Sequence, residues 1–243
     1  MESYLNSVNI NPKKIFIWQL RLIFLLFIFH VISVILKFYA GNSKMIGLAI
    51  KIIEYLFNFN FEKNIPTFYS AIAILCSSIL LFYIATMEKH RNSKYLHWLV
   101  LSIIFFFLSI DEIASIHEHF SILMKNNNFE ATGLFYRAWI IPYGIATCIF
   151  CIFYLRFLIN LQRNFRYLFL LSGAIFICGA LGLEMLGGAY IEINSGKNLT
   201  YSIISTFEEL LEMLGISLFL FTLLSYIVTE HNSIIISLSD KKY

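Results

Sequence analysis

Charge is scarce in this sequence. Only 14% of its 243 residues are Asp, Glu, Lys or Arg, against about 25% in a usual soluble domain. A net charge of +3 without any long basic run gives no arm for nucleic acid. There is no glycine-rich phosphate loop, no internal repeat and no low-complexity tract. The four cysteines, Cys76, Cys148, Cys151 and Cys178, all fall inside apolar segments, which argues against a disulfide framework. Cys148-x-x-Cys151 has redox or metal spacing, but within an apolar helix such cysteines more often serve as small packing residues.

Apolar residues take the place of charge. Hydrophobic residues make up 59% of the chain and aromatics 17%, and the mean hydropathy is +0.75. They are gathered into runs long enough to cross a bilayer core of about 30 Å as helices. The runs cover about 15–38, 66–87, 95–120, 133–161, 167–190 and 201–228. Helices are expected because a spanning segment has to satisfy its own backbone hydrogen bonds. The fold class is therefore all-α, an integral membrane bundle of about six transmembrane helices forming one domain over 1–243. The first run is too long for a signal-peptide core and reads as retained. Between the first two runs, residues 45–57 are mostly apolar with polar residues near helical spacing, which predicts a helix lying in the interface. Pro66 suits the first turn of the second span.

Basic residues flank one set of span ends. Lys13 and Lys14 precede the first span; Lys89, Arg91 and Lys94 follow the second; Arg163 and Arg166 follow the fourth; Lys241 and Lys242 end the chain. The two short loops of the other side carry only Lys125 and Lys197. The positive-inside rule then places both termini in the cytoplasm. Lipid is the expected partner.

Seven acidic residues fall inside the runs: Asp111, Glu112, Glu118, Glu184, Glu208, Glu209 and Glu212. Ionisable groups at membrane depth are costly and are functional suspects by default. With the orientation above, Asp111, Glu112 and Glu184 lie roughly 24–26 Å up their helices, and His30 lies at about 22 Å. Glu208, Glu209 and Glu212 lie roughly 10–17 Å below the outer surface. All converge on the outer half of the bilayer, where Arg137 is the one clear basic residue. In an unbroken helix a spacing of seven aligns Asp111 with Glu118 and Glu112 with His119. Ala180 and Gly188 bracket Glu184 and let a neighbouring helix come close. So many carboxylates beside one arginine require either raised pKa values or a bound cation. Carboxylate with imidazole is a ligand set for iron and manganese and also suits zinc. The candidate metal ligands are Asp111, Glu112, His117, Glu118, His119, Glu184, Glu208, Glu209, Glu212 and His30.

Plainer readings compete with this one. Ser205-x-x-Glu208 and Thr206-x-x-Glu209 fit a capping box at the start of the last helix. His30 fits a packed, hydrogen-bonded core histidine, and His117, Glu118 and His119 fit a wet outer edge. The segments Asn-Ile-Pro-Thr-Phe-Tyr-Ser (64–70), Phe-Leu-Ser-Ile-Asp-Glu-Ile-Ala-Ser-Ile-His-Glu (107–118) and Glu-Glu-Leu-Leu-Glu-Met-Leu-Gly (208–215) resemble a group of uncharacterised bacterial multi-pass membrane proteins. The resemblance implies a multi-pass protein of the bacterial inner membrane and names no activity. It falls largely on the acidic cluster.

Three functions fit these residues. The first is a metal-dependent membrane enzyme or metal-cofactor protein using zinc, iron or manganese, which lipid-like substrates reach sideways. The second is a proton- or cation-coupled transporter, although no repeat or paired broken helices are evident. The third is a non-catalytic accessory subunit. The orientation is tested by labelling cysteines introduced into 87–94 and 121–132. Sites in the first loop should react only from inside and sites in the second only from outside; outside labelling beside Arg91 reverses the topology.

Overall fold

The structure, a computed structural model, describes residues 7–8, 10–39, 44–90, 95–127, 129–194, 198–231 and 234–235. Arg91, Lys94, Lys197, Lys241 and Lys242, used above to orient the chain, lie outside them.

Among the described residues the chain is built almost entirely of helices. They are α1 (Pro12–Tyr39), α2 (Lys44–Phe57), α3 (Ile65–His90), α4 (Tyr95–Ala114), α5 (Ile116–Asn126), α6 (Ile140–Ile159), α7 (Arg163–Ile177), α8 (Glu184–Asn194) and α9 (Leu199–His231). A π-helical segment, Cys178–Leu183, joins α7 to α8 without a break, and a 3-10 turn, Gly133–Phe135, precedes α6. Two short strands, β1 (Ser7–Val8) and β2 (Ile234–Ile235), pair antiparallel.

Six stretches are long and apolar enough to cross a membrane: 12–36, 65–90, 95–114, 140–159, 163–194 and 199–230. Their outer faces carry large exposed apolar side chains such as Ile152, Phe153, Ile193 and Leu199. An apolar surface of that extent on a protein marks contact with lipid or a partner. A helix, α2, is present where residues 45–57 predict one. It rests on α1 through stacked Phe29 and Phe57, buries Ile50, and leaves Leu48, Lys51, Ile52 and Tyr55 exposed.

α9 runs through the centre and packs on α1, α3, α7, α8 and the π segment. Met213, Leu223 and Ile227 along it are fully buried. α3 and α4 form a tight hairpin held by serines. The Oγ of Ser78 and that of Ser102 each donate to the other's backbone carbonyl, at 2.8 and 2.9 Å, and Ser109 donates to the Ala71 carbonyl at 2.9 Å. Such bonds hold helices together where apolar attraction between them is weak.

Glycine sets the distance between α9 and the α7–π stretch. A Cβ added at Gly215 would lie 2.7 Å from the Phe176 backbone nitrogen, and one at Gly179 would lie 2.8 Å from the Glu208 carbonyl oxygen. Both contacts are to backbone, which cannot swing aside. A Cβ at Gly173 on the same stretch meets nothing within 4 Å. Gly215→Ala should therefore lower stability by about 1–3 kcal/mol through overpacking. Gly173→Ala should be neutral or stabilise by about 0.5–1 kcal/mol, because glycine is a poor helix residue. Thermal unfolding in detergent, comparing the two variants with the parent, checks both.

Candidate functional site

α6 is tied to the bundle near both ends. At one end the Tyr143 hydroxyl donates to Asp111 of α4 at 3.0 Å; at the other the Tyr154 hydroxyl donates to the His97 carbonyl at 2.8 Å. Between these ties lies a partly open cavity of about 1250 Å³, walled by α4, α6, α7, the π segment and α9. It exceeds the roughly 300–1,000 Å³ of ordinary small-molecule pockets. One end is aromatic and apolar, with Trp98, Phe157, Phe169 and Phe219; the other is lined by carboxyl groups.

Eight of the ten residues singled out in the sequence line this one cavity: Asp111, Glu112, His117, Glu118, Glu184, Glu208, Glu209 and Glu212. His30 and His119 are not among its lining residues. The buried His30 ring stacks on Phe59, accepts the Phe59 backbone N–H at Nδ1 (3.1 Å) and meets Thr206 Oγ1 at Nε2 (2.9 Å). Both nitrogens are used, as in a packed core histidine. His119 is exposed and donates Nδ1–H to the Ser115 carbonyl at 2.7 Å.

The third predicted span is not one helix. It breaks at Ser115, which takes the left-handed conformation at φ 51° and ends α4 at Ala114. The alignments by seven, Asp111 with Glu118 and Glu112 with His119, therefore do not describe this region. Asp111 and His117, six apart, are brought together instead. Asp111 accepts the His117 backbone N–H at 3.0 Å, and its other oxygen lies 3.2 Å from His117 Nδ1. His117 Nε2 lies 3.2 Å from Glu62, a residue that helical periodicity in the spans could not reveal. Glu62 is delivered by the turn before α3. There Asn58 Oδ1 accepts the Asn60 N–H, and Asn64 caps α3 by accepting the Thr67 N–H. Trp139 covers His117 at a ring distance of 4.8 Å.

With a carboxylate at each ring nitrogen, His117 is held as the imidazolium. Burial works against its charge, but the bonds to Asp111 and Glu62 outweigh it and push its pKa up from 6.5 to about 11. Burial would raise Glu62; the hydrogen bond and charge of His117 win and hold it below the usual carboxylate range.

Arg137, just before α6, forms the second clamp. Its Nε lies 2.8 Å from Glu184, an Nη lies 3.4 Å from Glu118, and the other Nη donates to the Tyr201 hydroxyl at 2.9 Å. It thereby joins α5, α8 and α9. Its stem passes beside Gly188, where an added Cβ would lie 3.5 Å from Arg137 Cγ. Glu184 follows directly on the π segment, and π-bulges often occur at functional sites.

The capping-box reading does not hold. α9 begins at Leu199, two turns before Glu208, and Asn198 accepts the Tyr201 N–H there. Ser205 and Thr206 lie inside the helix and donate to the carbonyls of Phe59 and Ser202. Glu208 lies close to Glu184. Among the described residues Glu112, Glu209 and Glu212 have no ion-pair partner, and no three His, Cys, Asp or Glu side chains are grouped so as to hold a metal ion.

A family described as "Domain of unknown function (DUF8692)" matches residues 22–227, which includes every residue of the cavity. No curated protein and no solved structure matches the chain.

The His117 clamp has a definite pH dependence. A raised histidine pKa contributes stability that is complete below 6.5 and is lost as pH rises toward about 11. The lowered Glu62 contributes above its ordinary 4.5, and this is lost as pH falls through its depressed value. The clamp is therefore strongest between about 4.5 and 6.5. Thermal unfolding followed against pH should show stability declining above 6.5 in the parent and a flatter profile in His117→Gln. An unchanged profile in that variant counts against the clamp.

Proposed function

The chain belongs to the DUF8692 family, a domain of unknown function, and we propose that it is a multi-pass membrane protein that admits a lipid-like molecule sideways into its cavity and handles that molecule's polar group at the carboxylates. The observation that carries this is the cavity itself: one compartment with an aromatic floor and a carboxyl-lined head. Wall residues of α4 and α7 such as Ile103, Phe107 and Leu170 are also exposed, as expected where the cavity opens toward lipid. His117 and Arg137 are engaged in fixed clamps and serve as frame. Glu112, Glu209 and Glu212 lack such partners, which suits them to take and give protons as general acids and bases or to bind a cation.

A second reading, a resident zinc, iron or manganese ion, is favoured by one observation. Eight carboxyl groups line the cavity against only two basic side chains, His117 and Arg137. Glu112, Glu209 and Glu212 offer oxygen ligands of the right chemistry, but they would have to close around the ion, since no ligating group of three is formed among the described residues.

The test is protein purified in mild detergent. Native mass spectrometry should find a copurified lipid-like molecule, and Gly173→Phe, which projects a ring from a cavity-lining position with open space around it, should displace it. Absence of any bound amphiphile in the parent, or no effect of Gly173→Phe, refutes the cavity reading. A stoichiometric metal that disappears in Glu112→Gln, Glu209→Gln and Glu212→Gln puts the second reading in its place.

A further inference from the structure

We propose that the polar group held in the cavity is a protonated amine, carried on a long hydrocarbon chain; this rests on the reading of the cavity as a lipid-like site. Two observations point the same way. First, the clamps consume both basic side chains of the site: His117 lies between Asp111 and Glu62, and Arg137 between Glu184 and Glu118. Glu112, Glu209 and Glu212 are left on the cavity wall without a cation. An anionic or phosphate-bearing head would add negative charge to this surplus, whereas an ammonium would offset it and could donate three hydrogen bonds to three carboxyl groups.

Second, Glu112 and Trp98 both line the cavity from α4. The rise between them is about 21 Å, which suits a long chain running from the carboxyls to the aromatic floor.

Three probes of equal chain length separate the elements: hexadecylamine, hexadecanol and palmitate, titrated against the full chain in detergent with tryptophan fluorescence as readout. Gly173→Phe is the control for partition into the micelle. Hexadecylamine should bind about tenfold more tightly than hexadecanol, and palmitate should bind most weakly. The advantage of the amine should vanish in the triple variant Glu112→Gln, Glu209→Gln, Glu212→Gln. Equal binding of amine and alcohol by the parent, or an amine preference that survives in the triple variant, overturns the ammonium assignment while the cavity reading stands. If none of the three probes binds beyond the level of Gly173→Phe, the cavity reading itself fails.

Discussion

An ionised carboxylate inside an apolar bundle has to be answered by something, and the rest of this structure follows from how that demand is met. Removing such a charge from water costs several kcal/mol even after relaxation. The chain answers part of its acidic set with two basic side chains and uses each as a fastener. His117 ties the end of α4 to the turn before α3 through Asp111 and Glu62. Arg137 ties the approach to α6 to α5, α8 and α9. What these two leave unanswered faces the cavity, which makes the interior asymmetric: a fixed frame on one side and available carboxyl groups on the other.

The cavity is also a matter of packing. On one side α9 approaches the α7–π stretch to backbone contact, because Gly179 and Gly215 present no side chain. On the other, α6 is propped at its ends by Tyr143 and by the aromatic group of Trp98, Tyr154 and Phe157. Close contact in one place and rigid props in another leave a gap that the bundle cannot relax into, which is how a large space persists in a protein that otherwise packs densely.

The broad architecture was legible in the sequence because long apolar runs and rare charges are strong signals. The carboxyl groups on α4, α8 and α9 were legible for the same reason. Finer features were not. The left-handed Ser115 carries no glycine or proline to announce it, so periodicity continued through the break and paired the wrong residues. Glu62 sits in a turn among Lys63 and three asparagines, outside the apolar runs where rare charge stands out. Ser205 and Thr206 imitate a cap because hydroxyl groups serve equally at a helix start and as donors to carbonyls within a helix. His30, chosen for its depth, and His119, chosen for its helical spacing from Glu112, are committed to packing and to a backbone bond.

The π segment before Glu184 accommodates more residues per turn than the α-helices on either side. Each residue of an α-helix advances the side-chain direction by about 100°. One residue added to a helix that stayed α throughout would therefore turn everything beyond by that angle and carry Glu184 away from Arg137. A π turn takes up the extra residue within a single turn, so the stretch beyond keeps its facing. One inserted codon absorbed in this way is a short genetic route by which the helix could have gained a residue beside the site while leaving its carboxyl group turned inward.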